Sequence, residues 1–122
     1  MTVTLDSNYG TSTTRSQSIT NPSGATLLAN NFTRTGYTFM GWSTSSGGTV
    51  THADAQSVAF IADTTLYAVW TANNYGITYF ANGANAGAVP VDSTVYNIGQ
   101  TITIRSNTGS LTRTGYSFGG WN

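Results

Sequence analysis

Lysine, glutamate and cysteine are all absent from these 122 residues. Without cysteine there is no disulfide framework, no thiolate metal site and no thiol nucleophile. Without lysine, covalent Lys–Asn cross-links of the kind found in some bacterial surface domains are excluded. Charge is scarce altogether, at 7% of residues against about 25% in ordinary globular proteins. Every basic residue is an arginine (Arg15, Arg34, Arg105, Arg113) and every acid an aspartate (Asp6, Asp54, Asp63, Asp92), so the net charge is zero. A chain so balanced has no electrostatic basis for binding nucleic acid or an anionic membrane. Long apolar runs are missing too: the longest, Val58–Ala62, is far too short to span a bilayer. The polar stretch after Met1 carries no basic and apolar leader pattern, so no signal peptide is read there and membrane insertion is not expected.

What fills the chain instead is Thr, Ser, Asn, Gly and aromatic side chains. Thr-rich sequence poor in Lys and Glu favours strands and turns over helix. The main organising feature is a phrase written twice, FTRTGYTFMGW at Phe32–Trp42 and LTRTGYSFGGW at Leu111–Trp121. Eight of the eleven positions are identical, at a constant offset of 79 (111 − 32). A fixed offset means one structural unit used in tandem. The expected division is 1–71 as a full unit, 72–74 as a linker and 75–122 as a second unit that lacks a closing strand. Units this small bury a modest share of their surface and depend on large aromatic side chains for a core.

Along the chain, Val3 and Leu5 alternate with Thr2 and Thr4, then break at Asn8-Tyr9-Gly10, which predicts a strand and a turn. Ile77 and Tyr79 repeat that phase before Asn82-Gly83, a pair that tolerates positive φ. Ser16–Ile19 reads as extended, Asn21–Gly24 as a turn with Pro22 presetting φ, and Ala25–Leu28 follows as the next element. In the second copy Thr94–Tyr96, the Asn97–Gly99 turn and the β-branched run Thr101–Ile104 predict strand, turn and strand. Ser106–Gly109 is extra relative to the first copy and marks a loop. Within the phrase, Gly41 and Gly120 just before Trp predict a bulge or close backbone approach. One helical turn is expected over Ala53–Val58. Thr65–Trp70, apolar on both faces, predicts an inner strand.

These phrases resemble the Listeria–Bacteroides repeat, which is related to the B-repeats of Listeria internalins. Members typically read V-T-F-D-x-N-G-G, then G-Y-T-F-x-G-W, then T-L-Y-A-x-W. Val3–Asn8, Gly36–Trp42 and Thr65–Trp70 carry that pattern in the first copy; Ile77–Gly83 and Gly115–Trp121 carry it in the second. The resemblance implies a mostly β, small α+β fold of two tandem β-grasp-like units. It also implies arrays on secreted or wall-attached bacterial proteins, extracellular or at the cell surface, acting as spacers or adhesive stalks. This chain departs from the family in having no Lys or Glu, and its second copy has no TLYAVW element.

Candidates for chemistry are few. His52 and Asp54, with Ser45, Ser46 and Ser57 nearby, are the one catalytic-looking group, but no G-x-S-x-G occurs to expose a nucleophile. One His and four scattered Asp make no ligand cluster, no D-x-[DN]-x-[DN]-G calcium loop is present, and no glycine run leads into a phosphate loop. No cofactor, metal or catalysis is therefore expected. Asn31-Phe32-Thr33 matches a glycosylation triplet. The aromatics serve chiefly as core, with Tyr37, Trp42, Tyr116 and Trp121 the candidates for contact with a ligand. Arg34 and Arg113, recurring at one place in both copies, are expected to pack on an indole or cap a turn carbonyl. Expected partners are neighbouring repeats, then host or cell-wall glycan or protein, then further copies of the chain by strand exchange. The expected function is a non-enzymatic spacer or adhesive module. A carbohydrate- or protein-binding module and a self-assembling filament subunit are the alternatives.

Overall fold

In a computed structural model describing every residue, Met1–Asn122, the chain is all-β. It divides into two compact units, Met1–Asn73 and Asn74–Asn122.

Unit 1 contains six strands: β1 Thr2–Asp6, β2 Thr14–Ser18, β3 Ala25–Thr26, β4 Tyr37–Ser43, β5 Ser57–Val58 and β6 Thr64–Ala72. Four of them form one sheet in the order β2-β1-β6-β4, and β3 pairs with β5 separately. The alternation of β1 turns Val3 and Leu5 inward to full burial while Thr2 and Thr4 stay half-exposed. At its end Asn8 adopts φ 57°, accepted at low cost by an Asn side chain that bonds locally. The Asn8 Nδ2 group donates to Ser46 O at 2.7 Å and Ala68 O at 2.9 Å, so the turn ties the loop after β4 to β6. β6 lies between β1, to which it is parallel, and β4, to which it is antiparallel. That inner position is what apolar residues on both its faces require: Leu66 and Ala68 are fully buried, Tyr67 and Val69 partly. The core gathers Val3, Leu5, Ile19, Leu27, Trp42, Phe60, Leu66 and Ala68.

The helical turn expected over Ala53–Val58 is not formed. A turn at Asp54–Ala55, with Ala55 at φ 52°, leads straight into β5. The Gln56 N–H reaches Ala53 O at 3.4 Å and Gln56 Oε1 accepts the Ala53 N–H at 2.7 Å, so one turn closes, but the left-handed Ala55 within it cannot continue into a helix.

Unit 2 holds two regular strands, β7 Asn74–Ile77 and β8 Asp92–Asn97, paired antiparallel. The Asn82-Gly83 turn forms with positive φ at both residues, 47° and 85°, and the Ala84 N–H reaches Ala81 O at 3.2 Å. The strand expected at Thr101–Ile104 is absent, and Ile104 is exposed. β propensity is realised only against a paired, half-buried surface, and no strand flanks this run. Two small hydrophobic anchors, Tyr79 and Leu111, are buried here.

Candidate functional site

The repeated phrase takes the same local form in both units. Arg-Thr-Gly makes a turn closed by Tyr37 N–H to Arg34 O at 3.0 Å, and by Tyr116 N–H to Arg113 O at 2.9 Å. Its glycine sits at φ 77° (Gly36) and 80° (Gly115), which glycine adopts without steric cost. The turn lays each guanidinium over the tyrosine three residues on, 3.6 Å from the Tyr37 centroid and 4.2 Å from that of Tyr116. The arginines therefore stack on phenol rings, where the sequence suggested packing on an indole or capping a turn carbonyl. Tyr9 flanks Arg34 on a second side at 5.4 Å and donates its hydroxyl to Thr33 O. Phe39 meets Trp42 edge-on at 5.0 Å and 66°, and Phe118 meets Trp121 at 5.2 Å and 71°. The glycine before each Trp is again alike, φ 140° at Gly41 and 129° at Gly120.

Surroundings separate the copies. Gly41 marks a register shift in the β4–β6 ladder, and a Cβ there would stand 2.7 Å from Val50 Cγ1 and 2.9 Å from His52 O. Gly120 has nothing within 4 Å of that position. Trp42 is fully buried with its Nε1 hydrogen unpartnered, so no ligand reaches its ring. Trp121 is half-buried, stacks edge-on with Tyr79 at 4.8 Å and donates Nε1–H to Arg105 O at 2.9 Å. Tyr37 is half-buried beneath Arg34, while Tyr116 is exposed. Of the four candidate contact aromatics, only Tyr116 and Trp121 sit together at an open surface. They line a groove of about 930 Å³ in unit 2 with Ile77, Tyr79, Phe80 and Phe118.

His52 and Asp54 do not converge. His52 Nδ1 lies 2.8 Å from Thr51 Oγ1 and its ring stacks on Phe60, while Asp54 Oδ1 accepts the N–H groups of Asn30 and Ala55. Neither bonds to the other.

One polar constellation escaped the sequence reading. Asp92 Oδ2 accepts the Tyr96 hydroxyl at 2.7 Å, and Oδ1 accepts the Thr94 N–H at 3.0 Å and Arg105 Nη2 at 3.5 Å. The Tyr96 bond chiefly, then those from Thr94 and the Arg105 charge, hold the Asp92 carboxyl down at about 2. The same bond raises the Tyr96 phenol. Its signal was present: positions 92 and 96, separated by an even number in a strand, share one face.

Two tandem units built on one turn-and-aromatic phrase define a β repeat protein. The chain belongs to the Listeria–Bacteroides repeat family, whose sequence model matches residues 2–69 and 75–122. Two proteins of Evansella cellulosilytica are similar to it. One, provisionally named a Gly-rich membrane protein, is 34% identical over 75% of this chain and 11% of its own length. The other, provisionally named a membrane protein, is 32% identical over 71% of this chain and 13% of its own. The chain thus corresponds to roughly a tenth of these relatives. No solved structure matches it.

Proposed function

We propose that the chain is a structural spacer within a surface or membrane-associated bacterial protein. The observation that carries this reading is the parallel pairing of β1 with β6. The chain enters unit 1 at the start of β1, beside Thr64, and leaves it at the far end of β6, at Ala72. Nine residues of strand advance about 30 Å, so the unit adds length to the polypeptide instead of returning it to its start. Tension between these two strands loads their hydrogen bonds in shear, all at once, where a hairpin would open one bond at a time. Family membership and the names of the two relatives support a place in the cell envelope. Catalysis has no support, because the family is not one of enzymes and His52 bonds to Thr51 instead of to Asp54.

Single-molecule stretching of the full chain by its ends tests the reading. Unit 1 is expected to resist and then yield in one step of roughly 200 Å, the extended length of its residues less the folded span. Smooth extension with no such step would overturn a mechanical role.

A further inference from the structure

The sequence holds two Asn-x-Ser/Thr triplets, Asn21-Pro22-Ser23 and Asn31-Phe32-Thr33. Proline in the middle position disqualifies the first as an N-glycosyl acceptor. The second stands in the connection between β3 and β4, outside the four-stranded sheet of unit 1. Exposure alternates along it: Asn31, Thr33 and Thr35 are exposed, while Phe32 and Arg34 are half-buried. Such alternation is that of extended chain, in which residues two apart point to one side. The Asn31 carboxamide and the Thr33 hydroxyl therefore face solvent together. Phe32 points the other way, packs against the core and meets Trp42 edge-on at 6.3 Å. Asn30, one residue earlier, is used differently. Its N–H donates to Asp54 Oδ1 at 2.8 Å, its Oδ1 accepts the Phe32 N–H at 2.9 Å and its Nδ2 donates to Phe32 O at 3.1 Å. Asn30 thus pins the loop, and the Asn31 carboxamide and Thr33 hydroxyl are left with no hydrogen bond inside the protein. Thr33 is held through its backbone alone, where its carbonyl accepts the Tyr9 hydroxyl.

We propose that Asn31 is an N-glycosylation site. The donor is an activated sugar whose leaving group is a diphosphate, carried on a polyprenyl lipid or on a nucleoside. A bond forms between Asn31 Nδ2 and the anomeric carbon, and the bond from that carbon to the diphosphate oxygen breaks. The diphosphate leaves on its carrier with the electron pair, the Nδ2 proton passes to a base of the transferase, and nothing is oxidised or reduced. The Thr33 hydroxyl, on the same side of the chain, is the second group the triplet requires. A glycan is bulky and solubilising, and it would hydrate a surface that has only 7% charged residues to do so. Because it hangs from the β3–β4 connection, it leaves the β1–β6 pairing untouched. The lipid-borne donor rests on the envelope placement proposed above; the nucleoside-borne donor does not.

The test incubates the native full chain with transferases that select on the triplet alone and reads the mass of the product. One arm supplies a polyprenyl-diphosphate glycan and the other a nucleoside-diphosphate hexose. A gain of one glycan, located to Asn31 by fragmentation, is expected in at least one arm, and the arm that reacts identifies the carrier. The gain is expected to vanish in Asn31→Gln and in Thr33→Ala and to persist in Thr33→Ser. Both positions are exposed, so these variants keep the fold. The reaction is run on purified chain, so its outcome is independent of where the parent protein resides and of the spacer reading. No gain in either arm overturns the proposal. So does a gain confined to urea-unfolded chain, since the fold would then close the triplet. A gain that persists in Thr33→Ala, or that falls equally on Asn21, overturns it as well, because the triplet would not be what is read.

Discussion

Gly41 and Gly120 hold nearly the same φ, 140° and 129°, in different surroundings. Backbone strain on replacing either is therefore similar, while only Gly41 faces Val50 and His52 at under 3 Å from a new Cβ. Gly41→Ala is expected to destabilise unit 1 by about 3 kcal/mol, strain and overpacking together. Gly120→Ala is expected to cost unit 2 about 1–2 kcal/mol from strain alone. Urea unfolding followed by residue-resolved exchange checks the difference; equal losses would show that contact with Val50 is immaterial. Asp92 makes a second prediction at this scale. Its carboxyl sits at about 2 in the fold, below its ordinary 3.8, so the folded state binds a proton less readily than the unfolded chain. The stabilisation is complete above pH 4–5 and lost as pH falls through about 4 towards 2. Protection of β7–β8 amides is expected to decline over that window in the native chain and to be pH-insensitive there in Asp92→Asn. Identical acid profiles for the two would remove Asp92 as the cause.

β6 encloses the repeated phrase of unit 1, pairing with β4 along Tyr37–Ser43. Leu66 is fully buried beside Leu5 in the parallel ladder, and Leu66→Ala is expected to cost unit 1 about 2–5 kcal/mol. Domains of this size have a total of about 4–11 kcal/mol, so thermal unfolding watched through Trp42 and Trp70 should shift downward by about 8 °C or more, at roughly 4–8 °C per kcal/mol. An unchanged midpoint would mean β6 is not part of the cooperative unit. Much of this arrangement was legible beforehand. The inner position of β6 followed from its two apolar faces, and the bulge at Gly41 from a glycine preceding a packed indole. Asn82-Gly83 gave its turn because both residues accept positive φ. What could not be read was anything decided by a distant partner. Thr101–Ile104 has strand chemistry but no strand beside it. Ala53–Val58 makes a single turn and goes no further, because Ala55 takes a left-handed φ of 52° before the chain enters β5.

Two units that share a phrase need not share a stability. Unit 1 has eight buried hydrophobic residues in one cluster, with Phe32, Phe39 and Trp70 packed against it. Among the hydrophobics of unit 2, Tyr79 and Leu111 are buried, while Phe80, Val91, Val95, Ile104, Tyr116 and Phe118 are exposed. Burial of apolar surface is the chief force opposing chain entropy, at about 25 cal/mol per Å², and below about 60 residues the balance is narrow even for well-packed domains. The Asp92–Tyr96–Arg105 group and the Trp121 bond to Arg105 O fix local geometry in unit 2, but a net gain of about 1 kcal/mol per hydrogen bond does not replace a buried apolar core. The slowest amides of β7 and β8 are accordingly expected to exchange at least about 100-fold faster than those of β1 and β6, a gap of ~2.8 kcal/mol. Equal protection in the two units would mean that the polar anchors of unit 2 supply what its small core lacks.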